Sequence, residues 1–253
     1  MKLQSKIEND WYLDDQKKQQ MNNIAFSTVI EERWYNFNIL LSEFVEKYDT
    51  KNKPIKILNA GCGDGNNINF IPHFFAKRKI KIEIIALDYN KVRLKRLDKI
   101  KNVSIEYGNL LKIKHSNEKF DVILCSHFIE HIENCNSAVK VLIRVLKKDG
   151  FLIVSVPNEG CFLSQLRNNI LQRKILKYTD HKHFFTKKSF LRLSKKAGFK
   201  LGHKVLFEGF SFPHSGVDRI LKKFIFWRKT MKFFLKLFLS QSGGLTFLFK
   251  KEY

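Results

Sequence analysis

Three short stretches of this sequence hold residue types at spacings that could do chemistry. The first is Leu58-Asn59-Ala60-Gly61-Cys62-Gly63-Asp64-Gly65, which runs from an apolar, strand-length stretch into a helical pattern. Glycines there let the backbone turn tightly and let a ligand approach the peptide groups. The helix start behind them offers unpaired N–H donors and the positive end of a dipole. Position 66 is Asn, so the dinucleotide fingerprint GxGxxG is not met. The second is Asp88, closing the apolar run Ile82–Asp88. An acid at such a strand end can accept hydrogen bonds from both hydroxyls of a ribose. Glycine loop and acid together predict a nucleoside-bearing cofactor; the alternative is that Asp88 caps a helix starting near Asn90.

The third stretch is His127-Phe128-Ile129-Glu130-His131, which spells HxxEH. As an inverted zinc-protease motif it would need both histidines on one helical face and a further ligand. It abuts the apolar run Phe120–Ser126, which leaves no room for that helix. His131 is instead read as a general base near a reacting atom, a task imidazole suits near neutral pH. The alternative is that it packs structurally. Farther on, His181-Lys182-His183-Phe184-Phe185 places two histidines before a helix. As lone ligands they are poor metal candidates, and no metal site is expected.

The elements that must position these residues follow from periodicity. Apolar runs at Ile55–Ala60, Ile82–Asp88, Val103–Tyr107, Phe120–Ser126 and Phe151–Val156 alternate with helical patterns around 67–77, 90–99, 136–147 and 187–197. Strands apolar throughout suit a parallel sheet buried on both faces, and alternation of the two kinds implies right-handed crossovers. Lys204–Phe207 and Leu245–Lys250 are two further strands. Residues 1–27 are polar, with Trp11 and Tyr12 as isolated anchors. From Thr28 to Tyr48 apolar residues recur at helical spacing, and Thr28 with Glu31 has the spacing of a capping box at a helix start. The expected organisation is a helical cap over 1–52 and one α/β domain over 53–253.

The motifs, taken in order, resemble those of class I S-adenosylmethionine-dependent methyltransferases, including members acting on small molecules and glycans. The residues concerned are the glycine loop, Asp88, Gly108-Asn109-Leu110, Phe120-Asp121-Val122-Ile123, and Val145-Leu146-Lys147-Lys148-Asp149-Gly150-Phe151-Leu152. The resemblance implies a Rossmann-like, doubly wound, mostly parallel seven-stranded sheet with helices on both faces and an antiparallel last strand. It implies S-adenosyl-L-methionine as cofactor. Gly61 and Gly63 would border its methionine part, and Asp88 would bind the ribose hydroxyls. Tyr89 would lie against the adenine, whose amino group would meet Asn109 and the backbone of Leu110. Ser126 and His127 would reach the methionine end and the substrate, with His131 beside the transferred methyl and His183, like His181, facing the acceptor. The family often has acids where this chain has Asn59 and Asn109. Both amides still hydrogen-bond, with less negative charge near a cationic cofactor.

Composition bounds the partners. The chain has 253 residues, 44% of them hydrophobic, enough for a sizeable core rather than a disordered chain. Four scattered cysteines make no disulfide framework, no signal-peptide pattern is visible, and no apolar run reaches spanning length. A cytoplasmic chain with reduced thiols is expected. Lys and Arg number 47 against 24 acids, for a formal charge of +23. Such a field favours an anionic partner, although Lys spread along the chain beside many Asn and Ile also fits a biased nucleotide composition. Between Arg219 and Leu239 stand seven Lys or Arg and no acid. A basic amphipathic helix is expected over 218–240, with Ile220, Phe224, Trp227, Met231, Phe234 and Phe238 on one stripe and Lys222, Lys229, Lys232 and Lys236 opposite. It reads either as an interface helix on an anionic membrane, at the inner membrane face, or as a cover helix packed on the sheet.

The expected acceptor is a hydroxyl of a small molecule, or of a sugar on a surface glycan or lipid-linked precursor. An RNA methyltransferase is the rival enzyme, supported by charge alone, so a nucleic-acid partner ranks below these acceptors. A non-catalytic, methyltransferase-like binding subunit is the rival from another class, kept alive by Asn59 and Asn109.

Overall fold

The computed structural model describes residues 24–48, 53–95, 97, 100, 102–174, 180–199, 204–210 and 212–251. Trp11, Tyr12, Lys51 and Asn52 lie outside them. Seven strands form one sheet: β1 (Ile55–Ala60), β2 (Ile82–Asp88), β3 (Val103–Tyr107), β4 (Phe120–Ser126), β5 (Leu146–Pro157), β6 (Lys204–Phe210) and β7 (Ser242–Lys250). Their spatial order is β3-β2-β1-β4-β5-β7-β6. All pairings are parallel except those of β7, which runs antiparallel to both β5 and β6. The chain winds outward in both directions from the β1–β4 pair, so a crevice opens at the carboxyl ends of those two strands.

Side-chain alternation sends each strand's residues into two separate cores. On one face α1 (Ile24–Lys47) and α2 (Asn66–Ala76) cover Ile57, Ile84, Val122 and Leu124 with Phe37, Phe44, Ile71 and Phe75. On the other, α4 (Cys135–Val145) and α6 (Lys187–Ala197) cover Leu58, Ile123, Leu152 and Phe247 with Leu142 and Phe190. Between β2 and β3 lies α3 (Lys91–Leu94), and after β5 come α5 (Phe162–Leu166) and a π-turn over Arg167–Leu171. Two helices, α7 (Ser215–Leu221) and α8 (Ile225–Leu237), join β6 to β7.

Several boundaries differ from expectation. The helix predicted over 90–99 is regular only over Lys91–Leu94, capped by the Asn90 side chain, which accepts from the Val92 and Arg93 amides. Thr28 does not start a helix, because α1 is already running from Ile24. The strand expected at Phe151 begins at Leu146: Leu146 pairs with Phe120, and a register shift before the Val122–Phe151 pair absorbs the extra residues Lys147–Gly150. The single helix expected over 218–240 is broken at Lys222–Phe224. Lys222 is also not on a wet face; it is buried and paired at 2.7 Å with Asp218.

Asp121, quoted above among the family motifs, works at the amino end of β4, far from the crevice. It is buried and accepts from the Lys56 amide at 2.8 Å, from Lys147 Nζ at 2.6 Å and from the Tyr48 hydroxyl. This carboxylate ties α1, β1 and β5 to one point. Among the described residues no helix is long and apolar enough to cross a membrane.

Candidate functional site

The glycine loop leaves β1 at the crevice. Gly61 has φ +67, where an L side chain is strained, and a Cβ there would meet the Phe128 ring at 2.2 Å. Loop and β4 extension therefore touch backbone to ring, which only Gly permits. Asp88 is buried at the end of β2 and binds the loop directly: Oδ2 accepts from the Gly63 amide at 2.8 Å and Oδ1 from the Asn90 amide at 2.9 Å. It does not cap α3, a role taken by Asn90. An ionised carboxylate has about four lone-pair sites, so two remain for a ribose. Asn109 is exposed, and its Oδ1 accepts from the Leu111 amide, opening the short 3-10 turn that buries Leu110. Its second oxygen lone pair is left for an adenine amino group. Tyr89 is partly exposed on the same rim.

Asn59, at the end of β1, is fully buried, and neither its oxygen nor its nitrogen has a hydrogen-bond partner among the described residues. Buried amides are nearly always bonded. An unsatisfied one beside a glycine cradle fits a polar cofactor that supplies the missing bonds. The Arg93 guanidinium also lies over the loop, 3.7 Å from Asp64 and close above Gly63.

A second constellation occupies the carboxyl ends of β4 and β5. His127 takes φ 47, an uncommon conformation for a residue with a Cβ, and turns the chain out of β4. Its ring lies between two buried carboxylates, 3.8 Å from Glu130 and 3.7 Å from Glu208. Burial, then the nearby Arg33 charge, hold its pKa below the ordinary value. Glu208 is anchored by Arg33 at 3.1 Å and by the Thr246 hydroxyl at 2.6 Å. Burial opposes its ionisation, but the Arg33 charge, the nearby His127 ring and the Thr246 bond outweigh it and hold the carboxyl at about 2.

His131 lies on a single 3-10 turn, Ile129–His131, so HxxEH forms no helical face for zinc. Its Nδ1 is 2.7 Å from Asp180 and its Nε2 is 4.0 Å from Glu130. His181 stacks edge-on against it, with ring centroids 4.8 Å apart, and its own Nδ1 is 2.6 Å from Glu159. Burial works against charge on His181, but Glu159 outweighs it and raises the pKa. Glu159 moves the opposite way: desolvation would raise it, and His181 with Arg167, at 3.3 Å, lowers it. Glu130 is wholly buried, and neither carboxylate oxygen has a hydrogen-bond partner among the described residues. Glu130, His131 and His181 each offer a ligand atom within 4.8 Å of the others, so His181, which reads as a lone ligand in sequence, meets a second histidine and a carboxylate in space.

Ser126 lies at the same strand end, its hydroxyl 3.0 Å from that of Ser155. His183 is turned elsewhere. Its Nε2 is within 3.1 Å of the Ile132 and Glu133 carbonyl oxygens, pinning the 180–186 segment to the 3-10 turn. The structure thus brings Asn59, Gly61, Gly63, Asp88, His127 and His131 to one crevice and gives His183 a bracing contact at its margin. Sequence reading gave no site role to Asp180, Glu159 or Arg93, and took Glu130 only as a letter of HxxEH. Asp180 and Glu159 carry no local signal for their roles, because they meet His131 and His181 across 49 and 22 positions.

A family model described as a methyltransferase domain matches residues 34–204. The chain belongs to the methyltransferase-domain family. Within it, the sheet order and the glycine loop with Asp88 are those of class I, S-adenosylmethionine-dependent methyltransferases, and S-adenosyl-L-methionine is the cofactor. A probable S-adenosylmethionine-dependent methyltransferase of Mycolicibacterium smegmatis is 31% identical over 107 residues, 42% of this chain and 39% of that one. A ubiquinone biosynthesis O-methyltransferase of Pelagibacter ubique is 26% identical over 163 residues, 61% of this chain and 62% of that one. The methyltransferase therefore spans less than two thirds of the length of either relative. In fold it is similar to a crystal structure described as a putative sarcosine dimethylglycine methyltransferase from Galdieria sulphuraria, with a TM-score of 0.58, 16% identity and 86% of each chain covered.

Proposed function

We propose that this methyltransferase transfers a methyl group from S-adenosyl-L-methionine to a hydroxyl of a small molecule or of a sugar in a glycan or lipid-linked precursor. The observation that carries the reading is Glu130, a buried carboxylate with no donor, set between His127 and His131. A carboxylate in that state lacks a hydrogen bond that an acceptor hydroxyl can donate. The relative named as a ubiquinone biosynthesis O-methyltransferase also supports oxygen as the methylated atom.

When bound, the cofactor supplies a methyl on a sulfonium, already activated for in-line displacement. What is left to the protein is alignment and proton removal. Asp180 beside Nδ1 fixes the His131 tautomer and leaves Nε2, on the Glu130 side, to take the proton of the reacting hydroxyl, while a second hydroxyl of the acceptor can donate to Glu130. The positive charge that then forms on His131 lies between Asp180 and Glu130. A cleft at the end of β5, lined by Glu159, Arg167, Phe212, Pro213 and Gln241, adjoins the His181–Glu159 pair and offers the acceptor both polar and flat apolar contacts.

The test is His131→Ala with acceptor classes screened for release of S-adenosylhomocysteine. Turnover is expected to fall by roughly 10²–10⁴ with cofactor affinity nearly unchanged. Near-normal turnover across pH would remove His131 as the base.

A further inference from the structure

We propose that the outer face of α7 and α8 is a docking surface for an anionic lipid bilayer. On α8 the residues Trp227, Met231 and Phe234 form the inward row; Met231 is buried, and Phe234 meets Phe210 of β6 with ring centroids 6.1 Å apart. That contact fixes the rotation of the helix about its axis. A second apolar row, Phe226, Phe233 and Leu237, is thereby turned outward and exposed by 80, 60 and 58%. Ile220, Phe224 and Ile225 extend it across the break between the helices, each about as exposed. Lys229, Lys232 and Lys236 form an exposed row on the same outer half of α8, with exposed Lys223 at its start. The sequence has no acid from Arg219 to Gln241.

A contiguous apolar patch rimmed by charge of one sign marks an interaction site. Its chemistry selects the occupant. A second copy meeting it about a two-fold axis would bring two lysine rows together. Nucleic acid would use the lysines and rings but gives Ile220, Ile225 and Leu237 nothing to bury against. An anionic bilayer takes both halves: acyl chains receive the Phe, Ile and Leu side chains, and headgroups meet the lysines. The face is also joined to the acceptor cleft. Gln241, in the turn after α8, accepts from the Leu163 amide, and Gln172 accepts from the Ser215 amide at the start of α7. Docking would therefore hold the cleft beside the lipid surface, which narrows the acceptor to a lipid-borne hydroxyl; this last step rests on the function proposed above.

Co-sedimentation with phosphatidylcholine–phosphatidylglycerol vesicles, against phosphatidylcholine alone, tests the surface. The protein is expected to sediment with the anionic vesicles at low salt and to be largely released at high salt, because headgroup attraction is screened within about 10 Å at 0.1 M. Lys223→Glu/Lys229→Glu/Lys236→Glu and, separately, Phe226→Ser/Phe233→Ser are each expected to weaken partitioning about tenfold or more. All five substituted residues are exposed, so unchanged melting temperature is the control. Failure of the parent to sediment overturns the proposal. So does a Phe variant that sediments like the parent, or tighter binding to an RNA duplex than to the vesicles. Calorimetric binding of S-adenosylmethionine without vesicles keeps the two readings apart: intact binding without sedimentation overturns the docking surface alone.

Discussion

Asp88 is the residue whose role is most tightly specified. It orders the glycine loop through the Gly63 amide and retains acceptor capacity for a ribose. Asp88→Ala removes a charge-assisted bond and is expected to weaken S-adenosylmethionine binding about ten- to a hundredfold, corresponding to roughly 1.5–3 kcal/mol. Calorimetry on the folded variant measures this, and unchanged affinity would show that the carboxylate serves the loop alone. The histidines divide by their neighbours rather than by their sequence motif. His127 is kept neutral by burial and Arg33, His181 is drawn toward charge by Glu159, and His183 braces a loop. His131 alone combines an orienting carboxylate on Nδ1 with an Nε2 facing a buried, donor-less acid.

At the level of elements, the site depends on how closely β1 and β4 extensions approach. Gly61 lies under the Phe128 ring with a positive φ. Gly61→Ala adds a methyl group where no space exists and strains the backbone, so a loss above about 1 kcal/mol in stability is expected. The same shift should displace the loop and weaken the cofactor. Urea denaturation and calorimetry together check it; a stable variant with normal affinity would mean that Phe128 moves aside at little cost. The α7–α8 pair shows a different dependence. The stripe read from periodicity is real, and part of it does pack on β6. On α8 the row one residue away is the more exposed, because burial of Met231 and the Phe234–Phe210 contact set the rotation.

For the whole molecule, the buried charges string together across the crevice and give stability a defined pH dependence. Glu208, held at about 2 against an ordinary 4.5, contributes fully above 4.5, and that contribution disappears as pH falls toward 2. His127, with its pKa lowered, resists a proton that the unfolded chain accepts, so it subtracts stability below about 6.5. His181 acts in the opposite direction: its raised pKa stabilises the fold below 6.5, and the gain is lost as pH rises through the raised value. Melting temperature should therefore fall steeply below pH 4.5. Glu208→Gln is expected to be less stable near neutrality and to show a flatter acid limb; an acid limb identical to the parent's would place the loss elsewhere.

The sequence by itself determined the sheet and the turns that carry the glycine loop and Asp88 to its carboxyl edge. Apolar residues recur at strand length between turn and helix signals, so Ile55–Ala60, Ile82–Asp88, Val103–Tyr107 and Phe120–Ser126 appear in the structure with the same ends. The glycine loop and Asp88 lie where consecutive elements turn at the carboxyl edge, and local chemistry fixes such turns. Tertiary structure alone decided the rest. Asp180 reaches His131 across 49 positions, and Glu159 reaches His181 across 22, because separate crossovers end at the same edge of the sheet. Lys222 left the wet stripe to pair with buried Asp218, and the one expected helix became two, ending at Leu221 and restarting at Ile225. Which apolar row of α8 faces water was likewise set by packing, since periodicity shows that a helix has faces while only its neighbours choose the buried one.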